Sequence, residues 1–374
     1  MTTAPVTADF YGIVTQDVPL IDVRAPVEFG TGSFPTAVNL PVLDDEDRHC
    51  VGVCYKQRGR EAAFDLAYNR VGGNLRQQRI AAWMRYHKEH PNAVMYCFRG
   101  GMRSTTAQQW FMEVTGAPIV RLQGGYKALR RYLLETLSPD NVRAEPVVLG
   151  GRTGVGKTVL LNHLPGSIDL EGLAHHRGST FGAHLSPQPS QIDFENRLAC
   201  ALIKHRHKGF SHIFLEDEGN YIGGRYIPHE LAGYFKRDSM VLLESPLAQR
   251  VKLTYEEYVL DAQRDYERMY GREKGVELWL DWMHSRMYRI RKRLGGERLK
   301  RVVQLLDDAH GRQCDSGEAG DHRRWIELLL TEYYDPMYDY QIIKSGRTID
   351  FQGGFAEVLE YLQKIESRNI PGKF

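Results

Sequence analysis

The sequence predicts an α/β protein of two parallel-sheet domains, the second carrying a helical C-terminal extension, and three observations carry that prediction. Between residues 20 and 137, short apolar runs alternate with helical patterns, as strands joined by crossover helices do. At Val147 a second series opens with a strand, a glycine-rich turn and an apolar-periodic segment in direct succession. From Pro246 onward the pattern is mostly helical and highly charged. The polar, breaker-rich Ser138-Pro139-Asp140-Asn141 separates the two series, which places the domains at 1–138 and 145–374, with the extension from about 246.

Composition bounds the function. A chain of 374 residues, 42% hydrophobic and 26% charged, belongs with ordinary globular proteins and is long enough for two or three cores. The formal net charge of +2 confines any nucleic-acid surface to a local patch. The start, Met-Thr-Thr-Ala-Pro-Val-Thr-Ala-Asp, lacks the basic and apolar regions of a signal peptide, and no apolar run approaches membrane-spanning length. Five cysteines, an odd and sparse count, argue for reduced thiols and a cytoplasmic protein with no membrane partner.

In the first domain, Leu20-Ile21-Asp22-Val23-Arg24 reads as a strand ending in a charged pair. Residues 60–69 and 75–88 read as helices separated by Gly72-Gly73, with Ala62, Ala63, Leu66 and Ala67 on one face and Ile80, Trp83 and Met84 on another. Ala93-Val94-Met95-Tyr96 is a buried-type strand that delivers Cys97 to its carboxyl end, where parallel sheets place ligands. A helix through Phe111, a strand at Ile119–Leu122, the turn Gly124-Gly125-Tyr126 and a helix to about Leu137 complete the unit. In the second domain a helix near 193–207 precedes the strand His212–Leu215, and a helix around Pro228–Phe235 precedes the strand Met240–Glu244.

Two loops carry chemistry. Gly151, Gly156, Lys157 and Thr158 fill the Gly-x4-Gly-Lys-Thr template after an aliphatic strand. Glycines at 151, 154 and 156 let backbone N–H groups converge on phosphate oxygens, and the following helix adds the positive end of its dipole. Lys157 neutralises terminal phosphate charge and Thr158 holds Mg²⁺ in that reading. The bland alternative, a β-to-α turn with no ligand, does not need the whole template. The loop by itself names neither the phosphorylated ligand nor its fate.

The second loop follows Cys97. Gly100 and Gly101, a helix N-terminus and the guanidinium groups of Arg99 and Arg103 form a ring of donors suited to a thiolate and to an incoming oxyanion. Two enzyme classes use such a loop: sulfur or selenium transferases with a persulfide-type carrier, and Cys-x5-Arg phosphatases, whose spacing Cys97 and Arg103 match. A buried strand-end cysteine without chemical consequence is the third reading.

Resemblance separates these. The run Leu-Ile-Asp-Val-Arg-x-Pro-x-Glu-Phe from Leu20, continuing through Gly32, Pro35, Ala37, Asn39 and Pro41, together with Leu122-x-Gly124-Gly125-Tyr126, resembles a rhodanese domain. Phosphatases share that fold, so the fold alone leaves the chemistry open. A rhodanese-like half carrying Cys97-Phe98-Arg99-Gly100-Gly101-Met102-Arg103-Ser104, fused to a P-loop NTPase-like α/β half, resembles the tRNA 2-selenouridine synthase family. Tyr55-Lys56-Gln57-x-Gly59, the stretch Asp169 to Gly182 and Glu216-Asp217-Glu218 agree, while Gly219-Asn220 departs from the family pattern.

The resemblance implies a selenotransferase with geranyltransferase activity. Its substrate is tRNA carrying 2-thiouridine at the wobble position. The sulfur is alkylated with geranyl diphosphate, and the geranylthio group is then replaced with selenium from selenophosphate. Cys97 is the implied catalytic thiol, the phosphate loop the implied diphosphate site, and an enzyme supplying selenophosphate an implied partner. The rivals are a Cys-x5-Arg phosphatase fused to a kinase-like module, and a nucleotide-controlled binding protein whose first half is only a scaffold.

Four further groups complete the candidates. Glu216 and Asp217 end an apolar strand where a Walker-B carboxylate belongs and could orient Mg²⁺. Glu171 and Arg177 lie in the Gly-, His- and Arg-rich segment Asp169–Gly182, which reads as a substrate loop facing the phosphate site. Arg289, Arg291, Lys292 and Arg293, in the basic cluster 286–301 beside Tyr288, are candidates for tRNA contact against the plainer reading of a solvated helix face. His49, Cys50 and Cys54 lack a second ligand pair, so no structural metal site is expected.

Overall fold

The structure, a computed structural model, describes residues 4–367. The chain divides into two compact units, residues 1–142 with 190–208, and residues 143–189 with 209–374.

The first unit is built on strands β1 (Val6–Thr7), β2 (Leu20–Asp22), β3 (Ala37–Asn39), β4 (Val94–Tyr96) and β5 (Val120–Leu122). They form one parallel sheet in the order β1-β5-β4-β2-β3. In β2 and β4 every residue is buried, which is why they read as apolar runs rather than alternating ones. One face of the core gathers Ile21, Val23, Ile80, Trp83, Met95, Trp110 and Phe111. The helix read at 60–69 belongs to a longer one, Asp45–Arg70, broken at Gly59, where φ is +83°. That break explains why only its second half carried a legible face. The buried pair Asp22–Arg24 (2.6 Å) accounts for the charged end of the first strand, and Tyr126 stacks on its guanidinium 4.0 Å away.

One element is placed differently from its expectation. The helix near 193–207 forms, as Gln191–His207, but packs within the first unit rather than among the strands that flank it in sequence. Its polar face explains why. Asp193 accepts from the Ser33 N–H (2.7 Å), Asn196 bonds both Arg130 and the Ser33 carbonyl, and Glu195 pairs with Arg130. Phe194, Leu198 and Leu202 are buried along the other face.

The second unit carries β6 (Glu145–Gly150), β7 (His212–Glu216), β8 (Tyr221–Ile222), β9 (Arg225–Tyr226), β10 (Ser239–Leu243) and β11 (Thr348–Gly353). Four of these make a parallel sheet ordered β11-β10-β6-β7, and β8 with β9 forms a small antiparallel hairpin. β6 is interior to the sheet and ends at Gly150, so the glycine loop leaves from its carboxyl end.

The extension after Pro246 is not helical throughout. β11 returns to the sheet edge beside β10, and the helix Phe355–Ser367 packs Val358 and Leu362 into the sheet core. The helices between them enclose a separate core around Trp279, Met283, Leu306 and Trp325. Two of their turns are π-helical, Glu256–Asp261 and Leu330–Tyr334. Among the described residues, no helix is long and apolar enough to cross a membrane.

Candidate functional site

Each unit presents one glycine-rich loop at the carboxyl end of an interior strand, and the two are built differently. In the first unit β4 hands over directly to Cys97, which is 3% exposed. The loop folds back so that Tyr126 N–H donates to the Cys97 carbonyl (2.9 Å) and Lys127 N–H to that of Phe98 (2.9 Å). A Cβ on Gly125, whose φ is +59°, would collide with the Cys97 carbonyl oxygen, so only glycine lets the two turns meet. Arg121 donates to the Gly100 carbonyl. The Cys97 Sγ lies 3.2 Å from Ser104 Oγ, in the first turn of the helix Met102–Thr115, at the positive end of its dipole.

The arginines of this loop part company. Arg99 is exposed, with its guanidinium over the Phe98 ring. Arg103 is committed to Glu28, which it meets through both terminal nitrogens, and Glu28 also accepts from Ala25 N–H (3.1 Å) and faces Arg48 (3.4 Å). Burial pushes the Glu28 carboxyl up, but Arg103 and the Ala25 N–H outweigh it and leave the group below its ordinary range. A Cys-x5-Arg phosphatase keeps that arginine for its oxyanion; here a carboxylate from the Asp-Val-Arg-x-Pro-x-Glu run holds it. Ser104 and Glu28 lie within the family motifs but carried no expected role, since nothing local in the sequence says which side chains reach the thiol loop.

In the second unit the loop runs from Gly151 to Thr158, with φ of +80° at Gly154 and +88° at Gly156. A Cβ at Gly154 would sit 2.6 Å from Thr254 Oγ1 and 2.9 Å from the Arg250 carbonyl. Lys157 Nζ donates to the Gly151 carbonyl (3.2 Å), and Thr158 Oγ1 to Glu216 Oε1 (2.5 Å). The helical extension holds the loop from outside. Tyr338 accepts from Gly151 N–H, Asp339 pairs with Arg152, and buried Arg250 bonds both the Thr153 carbonyl (3.0 Å) and Asp335 (2.9 Å). None of these braces was legible in the sequence, because they lie close to or beyond a hundred residues away.

A cavity of about 810 Å³ opens over this loop. Into it converge carboxylate oxygens of Glu171, Glu216 and Glu218, all within 4.8 Å of one another. Gly178 comes so close that a Cβ there would strike Glu171. Burial first, and then mutual repulsion, push Glu171 and Glu218 up, while burial opposed by Lys157 and Thr158 still leaves Glu216 raised. Three hard oxygen donors beside the Thr158 hydroxyl suit Mg²⁺, and one lysine does not balance them.

Glu218 belongs to the Glu-Asp-Glu motif but was not expected as a ligand; its signal was position, two residues past Glu216. Asp217 also lines the cavity but lies outside the cluster, paired with Arg347 (2.5 Å). Arg177 lines the cavity, paired with Glu257 (2.6 Å) and 5.4 Å from the Tyr258 ring centre.

The basic cluster resolves into two parts. Arg298 and Arg301 pair with Glu332, and Lys300 with Glu297. Arg289, Arg291, Lys292 and Arg293 are exposed, and no salt bridge among the described residues includes them. Arg293 lines the phosphate-loop cavity.

Comparison with known proteins accounts for both halves. Residues 144–369 match the family model described as tRNA 2-selenouridine synthase AAA domain, and residues 8–131 match that of the rhodanese-like domain. The chain is 49% identical to a tRNA 2-selenouridine synthase of Hydrogenovibrio crunogenus over 365 residues, covering 96% of this chain and 99% of that one. It is 46% identical to one of Sulfurovum sp. (96% and 98% covered) and 44% identical to one of Marinobacter nauticus (98% and 100% covered).

Proposed function

This chain belongs to the tRNA 2-selenouridine synthase family, and from that premise we propose that it converts wobble 2-thiouridine in two steps, one at each loop. In the first step the 2-thio sulfur attacks C1 of geranyl diphosphate. A C–S bond forms as the C–O bond breaks, diphosphate leaves with the electron pair, and the N3 proton of the uracil is lost. Lys157 and the loop N–H groups meet the charge that develops on the leaving group. Thr158 and Glu216, with Glu171 and Glu218 near, would hold Mg²⁺, which would supply further charge neutralisation there.

In the second step selenium from selenophosphate forms a bond to C2. The geranylthio group leaves as the thiol, and the phosphoryl group passes to water. Cys97 is the thiol on which this exchange depends, with Gly100, Gly101 and the helix N-terminus beside it to receive the anionic selenium donor. An enzyme that makes selenophosphate is the source of that donor. Arg289, Arg291, Lys292 and Arg293 supply contacts to the tRNA backbone.

The observation that carries this reading is the pairing of a buried thiol loop with a phosphate loop of a different kind in one chain of this family. Nucleoside mass analysis of 2-thiouridine tRNA tests it. Geranyl diphosphate alone should yield geranylthiouridine, and subsequent selenophosphate should yield selenouridine. Selenouridine formed without geranyl diphosphate would refute the order of steps.

A further inference from the structure

Beside the phosphate loop lies a second, apolar space. It is lined by Phe181, Met283, Trp325, Ile326 and Leu329, and its mouth is formed by Thr153, Ser179, Tyr258 and Tyr334, which also line the phosphate-loop cavity. The slot therefore opens off the phosphate site and runs into the core of the helical extension.

Three features set it apart from a packing gap. Thr254, whose Oγ1 would meet a Cβ on Gly154 at 2.6 Å, has that oxygen buried with no hydrogen-bond partner among the described residues. The two π-helical turns supply Tyr258 and Leu330 with Tyr334 to its walls, and such turns break a regular helix where a site is built. Ser179 Oγ meets Tyr258 Oη at 3.0 Å, so two of the four hydroxyls at the mouth satisfy each other across the entrance, and the walls beyond are hydrocarbon.

We infer that this slot receives the hydrocarbon tail of the diphosphate substrate, an inference that rests on the alkylation step proposed above. A nucleobase is a poor occupant of the inner end, because its N–H and C=O groups would be buried without partners against Phe181, Met283, Ile326 and Leu329, with the Trp325 N–H already given to His322. A prenyl chain needs none. The slot holds about 20 Å³ in this structure, enough for one or two methyl-sized groups. The tail then enters by displacing side chains, and Met283, unbranched and adaptable, is the wall residue best suited to yield. The helical extension thereby acquires a role: it reads the length of the chain attached to the phosphates.

The test compares alkylation of 2-thiouridine tRNA by dimethylallyl, geranyl and farnesyl diphosphates in three proteins. Met283→Ala widens the slot and should raise farnesyl turnover relative to geranyl by roughly tenfold. Leu329→Phe fills it and should raise dimethylallyl turnover relative to geranyl by about the same factor. The substitutions change volume in opposite senses, so a failure of one to fold leaves the other decisive. Alkylation with both ratios unchanged overturns the slot assignment alone. No alkylation by the unaltered protein with any of the three overturns the proposed first step itself.

Discussion

The thiol loop and the phosphate loop share a plan, a glycine turn between an interior parallel strand and a helix, yet they are held in opposite ways. The thiol loop is closed. Its carbonyls are taken by Tyr126 and Lys127, its Arg103 by Glu28, and its sulfur by Ser104. The phosphate loop faces an open cavity, is braced by residues nearly two hundred positions away, and looks onto three carboxylates with one lysine among them. One loop is specified by backbone fit and the other by charge left for a ligand to balance. A substitution should therefore damage the first through geometry and the second through electrostatics.

The largest effect is expected at Gly125. Alanine there meets both a left-handed φ and the Cys97 carbonyl, so Gly125→Ala should displace the thiol and cut selenium insertion by on the order of a hundredfold or more. Alkylation should stay within about twofold, measured as geranylthiouridine formed. Equal loss of both steps would mean that the loops do not act separately.

The carboxylate cluster gives a pH signature of the opposite kind. Burial and Glu216 raise Glu218 from its ordinary 4.5 to about 7. A carboxyl whose folded pKa is raised binds its proton more tightly folded than unfolded, so stability falls as pH rises through that window. The metal-free protein should lose at least on the order of 3 °C in melting temperature between those two values; Glu218→Gln should reduce the loss, and Glu218→Gln with Glu171→Gln should remove most of it. Added Mg²⁺ should restore the transition at the upper end. A transition in the unaltered protein that is flat across the window would contradict the charge-excess account.

The smallest effect concerns the exposed cations. Replacing Arg289, Arg291 and Lys292 with alanine should reduce the slope of log tRNA affinity against log salt by about one unit for each phosphate no longer neutralised. An unchanged slope would make them a solvated face.

Both loops were legible because their chemistry is local: a glycine template, or a cysteine and its next seven residues, declares itself within one turn. Most interior strands were legible because each carries a short unbroken apolar run, as Leu20-Ile21, Val94-Met95-Tyr96, Val147-Val148-Leu149 and Met240-Val241-Leu242-Leu243 do. β11 was not, although Ile349 and Phe351 alternate with polar neighbours as an edge strand's side chains do; the charged helices before it masked a six-residue signal. The position of Gln191–His207 and the Tyr338 brace depend on pairings across the chain, which no local pattern encodes.

The most direct measurement gives geranylthiouridine tRNA and selenophosphate to two variants. Lys157→Ala should be slowed in alkylation by on the order of a hundredfold, ~3 kcal/mol, yet convert this pre-alkylated tRNA to selenouridine at close to the normal rate. Cys97→Ser should alkylate normally and leave the supplied substrate unchanged. If Lys157→Ala also failed on the pre-alkylated tRNA, or Cys97→Ser converted it, the assignment of one step to each loop would be contradicted.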